Sequence, residues 1–487
     1  MPDGSPVVPA GAAQAGQAAE GEGTPWRWRV LAAGTLTGGF ALGFRAAAGR
    51  GTRRLVLACV AGALGSTLPI AWASRRPPIQ PRSNGGVGGQ VARHQGPGTG
   101  SPTFTVVVAG RDEAVVIPRL VRDVAAQDHR TSGGTPRFEL VVIDDRSVDG
   151  TADAASQAAE TAGISGVTRV VRRAGALPDG KGAALAALAP EAYLGDVVVV
   201  LDADARIAPD FLSTLAHYVQ SGARAITARR RIIDGGASWL AGAQADEQTL
   251  DGELQRGRWG LGGLSEFRGN GIVVERRLLI EVGGWRSEAL TEDLDLSSRI
   301  AAAHGIGVAW ALDAEVWEEP VRSWPALWRQ RVRWAEGAVR RLLEHGAPVL
   351  ASRRLGIRAK LEFLAYAGQL AAPPLIAGSV AGAFRRGRAA SAVLLVAAYA
   401  GVAGGLAWDA LRWEAGADGH PLHPGERLGR AARAAVFGSL WLAAMPAALW
   451  RLAVRRGPVV YDKMAHHGGP EASPRPGPAA HHARGEP

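Results

Sequence analysis

Val197-Val-Val-Val-Leu-Asp-Ala-Asp204 decides the reading of this chain. Four consecutive valines and a leucine, with no polar break, have the composition of a strand buried on both faces. The run ends in carboxylates at i and i+2, which point the same way from an extended backbone. Ligands of open α/β sheets bind beyond the carboxyl ends of the strands. Asp202 and Asp204 therefore stand where a ligand gathers. Two carboxylates that close repel each other unless a cation lies between them. Mg2+ or Mn2+ suits that place, being hard, oxygen-liganded and commonly shared with substrate phosphates. The competing reading is an exposed acidic turn. A second Asp-x-Asp, Asp293 to Asp295, shows that the pattern alone is cheap.

The surroundings extend this strand into a domain. Residues 105–109, 138–144 and 307–311 also read as strands, and 115–126, 151–162 and 209–219 as helices. Their alternation across residues 103–345 predicts a doubly wound α/β domain. Asp144 and Asp145 end a second strand and suit a base or a ribose; otherwise they cap the turn and the helix at Thr151. Asp149 reads as a cap only. Lys181, in Asp179-Gly-Lys-Gly182, places a cation in a flexible turn, for a phosphate or uracil contact or as plain surface. Gly269 and Asn270 precede a strand-like run at 272–274, and the glycines there permit close approach of a substrate.

Two further motifs carry chemistry. Thr291-Glu-Asp293 leads into a helical pattern at 294–303. Thr291 either caps that helix, with acids at its positive end, or Asp293 acts as a general base with Glu292 beside it. Gln330-Arg-Val-Arg-Trp334 lies in a basic, aromatic segment. Trp324, Trp328 and Trp334 fit an interfacial belt. Arg333 equally fits a pyrophosphate, which its planar fork can grip with two hydrogen bonds, and Trp334 fits a sugar ring.

The chain has 487 residues, 47% of them apolar, and a net charge of +10. A single cysteine, Cys59, excludes an intrachain disulfide and a Cys-based metal site. The basic residues are not interleaved with aromatics outside the membrane flanks, which disfavours nucleic acid and favours an anionic lipid surface. Residues 1–25 read as a disordered tail, 28–75 as membrane segments, 76–102 as a Pro/Gly-rich linker and 465–487 as a second tail. No cleaved signal peptide is expected, because the first basic residues, Arg27 and Arg29, come late. Residues 355–456 read as interfacial and transmembrane helices, with apolar runs at 363–384, 389–408 and 434–449. Pro373-Pro374 is expected to break or kink the first. Basic clusters at 353–360, 385–388 and 451–456 on one side predict an interfacial Pro-Pro segment and a hairpin of the other two runs. Three true spans are the alternative.

In order and spacing, these motifs resemble family 2 glycosyltransferases, particularly the membrane-embedded branch with the cellulose, chitin and hyaluronan synthases. The resemblance covers residues 103–337. It implies a GT-A, Rossmann-like fold, a nucleotide-sugar donor such as a UDP-sugar, and inversion at the anomeric carbon. It assigns nucleotide binding to Asp144 and Asp145, and the metal to Asp202 and, more directly, Asp204. Lys181 falls on the donor side and Asp293 at the catalytic base. Gln330, Arg333 and Trp334 fall near the diphosphate and acceptor, with Glu292, Gly269 and Asn270. Two departures stand out: Arg111-Asp112-Glu113 where the family has Asn-Glu, and Ala184 and Ala186 where an Asn is common. The apolar part is small for extruding a polymer. The expected product is therefore a sugar on a lipid or lipid-linked acceptor, made by a multi-pass enzyme of the cell membrane with its catalytic domain in the cytoplasm. A processive polysaccharide synthase is the alternative within this class. A metal-dependent nucleotidyltransferase and an inactive membrane scaffold are the alternatives outside it.

Overall fold

The computed structural model describes residues 24–49, 54, 57, 58, 60–62, 65, 67–74, 100–173, 178–416 and 419–455. Apart from residues 24, 25 and 100–102, the expected tails and linker lie outside the described residues. Among the described residues, helices α1 (Trp26–Ala46) and α2 (Thr67–Ser74) precede the sheet domain. The sheet domain then runs β1 (Phe104–Gly110), α3 (Ile117–Ala125), β2 (Phe138–Asp144), α4 (Thr151–Thr161), β3 (Thr168–Arg172), α5 (Lys181–Leu185), β4 (Val197–Leu201), β5 (Arg206–Ile207) and α6 (Phe211–Gln220). It continues through β6 (Ala225–Ile232), α7 (Trp239–Gly260), β7 (Ile272–Glu275), α8 (Arg276–Glu281), α9 (Glu292–His304), β8 (Ala309–Glu318) and α10 (Trp324–Ala351). Four helices follow: α11 (Ile357–Arg385), α12 (Ala389–Ala410), α13 (Pro424–Gly438) and α14 (Trp441–Val454).

The strands form one mixed sheet in the order β3-β2-β1-β4-β7-β6-β8-β5. The first four are parallel, and β7 runs antiparallel to both β4 and β6. Alternation along the strands builds a core on each face. Val106, Val108, Val199 and Leu201 pack with Leu120, Ala155 and Leu215 on one side. Val107, Val198 and Val200 pack with Leu185, Leu279 and Ile300 on the other. The valine run is thus buried on both faces, as its composition requires. The expected strand at 307–311 is longer, reaching Glu318, because its second half alternates buried and half-buried residues.

The basic clusters beside the apolar helices are placed differently from the sequence expectation. The start of α11 is held to the sheet domain, where Glu362 accepts from Arg258 and from the Leu264 amide at 2.9 Å. The residues after α12 return to it: Arg412 pairs with Glu253 at 3.0 Å, and Glu414 pairs with Arg229 and Arg231. The basic loop at 385–388 therefore lies at the far end of an α11–α12 hairpin rather than beside the other two basic clusters. Helix α1 runs alongside. Its start is tied to α10 through Thr24 and Arg340 at 2.8 Å, and its end meets that loop through Phe44 O and Arg386 at 3.2 Å. Both α13 and α14 hold on to the domain: Arg430 and Arg433 reach Asp246 at 2.7 Å, Trp441 reaches Glu247 at 3.0 Å, and Arg455 reaches Glu336 at 3.0 Å.

Pro373-Pro374 breaks nothing: α11 is one helix from Ile357 to Arg385. Both prolines are buried, and α1 packs against them through a glycine face. A Cβ on Gly43 would lie 2.1 Å from Leu375 O, and one on Gly378 would lie 2.1 Å from Phe40 O. The two backbones touch, as small-residue spacing allows between apolar helices. Three stretches are long and apolar enough to cross a membrane: Ile357–Arg385, Ala389–Trp413 and Pro424–Val454.

Candidate active site

The carboxyl ends of β1, β2 and β4 open onto a cavity of about 550 Å³. Asp145, Lys181, Asp202, Asp204, Glu292 and Asp293 all line it. So do Gly269, Asn270, Gln330, Arg333 and Trp334. The structure thus brings together the residues singled out from sequence, with one exception. Asp144 is buried and does not line the cavity; its Oδ1 accepts from the Ser147 amide at 3.0 Å and closes the turn. The capping role is the one the geometry shows for Asp144. Asp149 caps as expected, accepting from the Ala114 and Thr151 amides, each at 3.0 Å.

Asp145 faces the cavity between two guanidinium groups, Arg146 at 2.8 Å and Arg173 at 2.6 Å. Arg146 also reaches Asp179 at 2.6 Å, which fastens the turn before Lys181 to the end of β2. The unusual Arg111-Asp112-Glu113 makes a further tie. Asp112 has φ +54°. Its amide donates to Ser147 Oγ and its Oδ1 accepts from the Val148 amide, both at 2.8 Å. Arg111 and Glu113 line the cavity.

Around the Asp-x-Asp pair the charges interlock. Lys181 Nζ donates to Asp202 Oδ1 and, at 2.8 Å, to Gly269 O, and it stands 3.7 Å from Glu292. The Asp202 amide donates to Asn270 Oδ1 at 3.1 Å, and Asn270 Nδ2 donates to Glu318 at 3.2 Å. Asp204 is more buried than Asp202 and accepts from the Glu319 amide at 3.0 Å. Gly269 has φ +78°, a conformation that favours glycine. A Cβ there would point at Asp293 Oδ2, 3.7 Å away.

Glu292 and Asp293 begin α9, Glu292 buried and Asp293 half-buried at the cavity wall. Burial pushes the Glu292 carboxyl up to about 7; Lys181 pulls it down and Asp293 pushes it up. Burial likewise raises Asp293, against the Leu294 amide and the nearby Arg268. Raised carboxylates in a cleft are the electrostatic mark of acid–base chemistry. Asp293 is fixed from behind: its carbonyl accepts from Ser297 Oγ at 2.7 Å, and Ser297 Oγ accepts from the Phe267 amide at 2.9 Å.

The sequence reading missed several wall residues. Arg230 is paired with Glu318 and lies 5.6 Å from the Trp334 ring. Arg268 is paired with Asp251 at 2.7 Å and donates to Tyr366 Oη at 3.2 Å. Glu247 holds both Arg331 and Trp441. The Arg229-Arg230-Arg231 run was the available signal, but its strand, β6, was not recognised.

Asp202 and Asp204 offer hard oxygen donors on a cavity wall, so the chemistry of the donor set fits Mg2+ or Mn2+. A second acidic group, Asp295, Glu344 and His345, does not fit a cation so well. Arg286 already reaches Asp295 at 3.2 Å and Arg299 reaches it at 2.8 Å, so this cluster is an ion-pair clamp between α9 and α10.

Comparison with known proteins agrees with this geometry. The sequence model of the family described as glycosyltransferase like family 2 matches residues 102–337. A beta-monoglucosyldiacylglycerol synthase of Trichormus variabilis is 33% identical over 270 residues, 54% of this chain and 55% of that protein. A poly-beta-1,6-N-acetyl-D-glucosamine synthase of Staphylococcus aureus is 26% identical over 256 residues, 52% of this chain and 58% of that protein. The chain therefore spans about half the length of the curated relatives it matches. The solved mannosyltransferase PcManGT from Pyrobaculum calidifontis, in complex with GDP-Man and Mn2+, aligns over 80% of this chain and 96% of its own, with a TM-score of 0.52 at 22% identity. That likeness shows a shared GT-A fold. By this match and these likenesses, residues 102–337 form a domain similar to glycosyltransferase family 2.

Proposed function

We propose that this protein is a membrane-bound inverting glycosyltransferase that moves a sugar from a nucleotide-sugar, such as a UDP-sugar, to the hydroxyl of a lipid or lipid-linked acceptor. One observation carries this reading. The cavity that holds Asp202, Asp204 and Asp293 is also walled by Tyr366 and Leu370 of α11, Tyr399 of α12 and Met445 of α14. A donor approaching from the sheet and an acceptor approaching from the apolar helices would meet there. The relative from Trichormus variabilis, named for a glucosylated diacylglycerol, supports the same acceptor class.

Asp145 receives the nucleoside end, where Arg146 and Arg173 hold its carboxylate in place. Lys181 and Arg333 face the diphosphate; Arg is suited to it by its planar fork. Asp293 takes the proton from the acceptor hydroxyl as that oxygen attacks C1 of the sugar, and the nucleoside diphosphate leaves on the opposite side. A positioned base contributes about 10²–10⁴-fold. Asp202 and Asp204 would hold Mg2+ or Mn2+, which, when bound, neutralises charge on the leaving diphosphate. Trp334 packs at the acceptor end. Helices α11 and α12 cross the membrane as a hairpin with α1 beside them. This would be an enzyme of the cell membrane with the catalytic domain in the cytoplasm, where nucleotide-sugars are made.

The test is a donor screen on the purified full chain in detergent with Mn2+ or Mg2+. UDP-glucose, UDP-galactose, UDP-N-acetylglucosamine and GDP-mannose are offered with a total lipid extract, and the lipid-extractable product is weighed by mass spectrometry. A hexose-bearing lipid is expected. A high-molecular-weight, lipase-resistant polymer would favour the processive synthase, and pyrophosphate release from a nucleoside triphosphate would favour a nucleotidyltransferase.

A further inference from the structure

Arginines gather at the end of the α11–α12 hairpin that lies away from the sheet domain. Helix α1 ends there against the end of α11: a Cβ on Gly382 would lie 2.7 Å from Phe44 O. Arg386 donates to Gly382 O at 2.9 Å and to Phe44 O at 3.2 Å, and Arg388 donates to Ala47 O at 3.2 Å. Those bonds answer the last carbonyls of the two helices, as basic side chains commonly do. Arg45 and Arg385 belong to the same junction and have no such task. Both are exposed, and neither side chain has a hydrogen bond or an ion pair among the described residues. We propose that this junction binds the phosphate of anionic phospholipids in the leaflet opposite the catalytic domain, with Arg45 and Arg385 as its free donors. The inference rests on the reading of α11 and α12 as a membrane hairpin.

Spacing along α11 sets the depth of the junction. The stretch 363–384 holds no charged residue. At about 1.5 Å per residue it rises about 32 Å, close to the hydrocarbon core of about 30 Å. A basic band bounds it at each end, Arg358 and Lys360 before it and Arg385 and Arg386 after it. From Lys360 to Arg385 the rise is about 38 Å, between the thickness of the core and the about 40–45 Å of the whole bilayer. The two bands thus meet the two headgroup layers. Exposure agrees: Phe40, Leu42 and Phe384, just inside the junction, present apolar side chains outward, as a surface among acyl chains requires. Charge then names the occupant. Basic residues normally collect on the cytoplasmic side. Four arginines at the other end need a local counter-charge, and among the described residues no acid pairs with any of them. A phosphate suits them, because the planar guanidinium grips it with two parallel hydrogen bonds. Arg386 and Arg388 spend one nitrogen each on carbonyls, which leaves further N–H donors on both.

The experiment places the purified full chain in nanodiscs of phosphatidylcholine, alone or mixed with phosphatidylglycerol, and follows hydrogen exchange in peptides covering 40–49 and 380–392. Amides of the junction should exchange at least threefold more slowly with phosphatidylglycerol. Arg45→Gln combined with Arg385→Gln should abolish that difference and leave the thermal midpoint in phosphatidylcholine unchanged, since neither side chain bonds within the described chain. Arg45→Lys combined with Arg385→Lys should keep most of it. Equal exchange in the two lipids overturns the proposal and leaves the membrane hairpin in place. A difference that survives the double Gln substitution overturns it too. Equal protection by inorganic phosphate in phosphatidylcholine discs also overturns it, because the site then takes a soluble anion. Release of the chain from vesicles by alkaline carbonate removes the hairpin and the proposal together.

Discussion

Gly337, in the middle of α10, stands so close to Thr291 that a Cβ built on it would lie 2.2 Å from Thr291 Cγ2. Thr291 is the residue before α9, and Asp293 lies in the first turn of that helix. The missing side chain at 337 thus sets how deep the base reaches into the cavity. Gly337→Ala pushes the start of α9 away. Misplacing a reacting group by about 1 Å can cost about 100-fold in rate. The expected result is a kcat lowered by about that factor, with the donor KM within threefold and stability reduced by about 1–3 kcal/mol from overpacking. An unchanged kcat would mean that α9 yields without moving Asp293.

The two acids at the start of α9 set a pH dependence. Burial raises both, Glu292 to about 7, so both gain their charge late as pH rises. A base works only when ionised, so kcat/KM should climb with pH at values above the ordinary carboxylate range. Asp293→Asn should lower kcat by about 10²–10⁴-fold at pH values where the carboxyl is ionised, and by less at lower pH, with nucleotide-sugar binding retained. Glu292→Gln removes a neighbouring negative charge and makes Asp293 easier to ionise. Its rising limb should therefore shift to lower pH. A limb that stays put would assign the titration to another group.

What the sequence made legible follows from where periodicity survives. Strand β4 is an unbroken apolar run, β1 and β2 each hold one at 106–109 and 140–143, and α4 and α6 are bounded by turn residues, so both kinds were readable. Strand β3 was not, because Thr168–Arg172 is half-buried at the sheet edge and carries two arginines. Helix α7 was not, because it buries Asp246, Glu253, Arg256 and Arg258 all round and shows no polar face. Those charges make sense only with partners far away in the chain, such as Arg430 and Glu362. The motif residues were legible because their chemistry needs particular side chains. Their supports, Arg230 and Glu247 among them, were not, because their roles depend on tertiary neighbours. The placement of the basic loop at 385–388 was misread for the same reason: charge counting could not see that Glu414 draws the end of α12 back to β6.

Lys181 occupies Asp202 in this structure, so a divalent cation has an ammonium to displace. Calorimetry of UDP binding to the full chain should show at least tenfold tighter binding with Mn2+ than in EDTA. Asp204→Asn should erase most of that difference. Lys181→Ala should weaken UDP binding in EDTA, where the ammonium is the nearer cation, more than in Mn2+. Equal UDP affinity with and without metal would sink the cation assignment for Asp202 and Asp204.

Glu414 is the last contact to test. It is buried after α12 and pairs with Arg229 and Arg231 of β6, with Arg430 of α13 at 3.6 Å. Burial alone would raise its carboxyl, but Arg231 and Arg229 hold it well below the usual range. The folded state therefore keeps the charge to lower pH than the unfolded chain does. The stabilisation is complete above the unfolded carboxyl value near 4.5 and fades as pH falls below it. Removing one partner of a buried pair strands the others, at a cost of about 3–5 kcal/mol. Glu414→Gln should thus lower the thermal midpoint clearly at pH 7 and nearly as much at pH 4, the difference shrinking only as pH falls well below that. Because Glu414 joins the helix hairpin to the sheet, the loss should appear first as detachment of the helices. Proteolysis near residue 416 that precedes unfolding of the sheet domain is the expected signature, and simultaneous cleavage throughout the chain would contradict it.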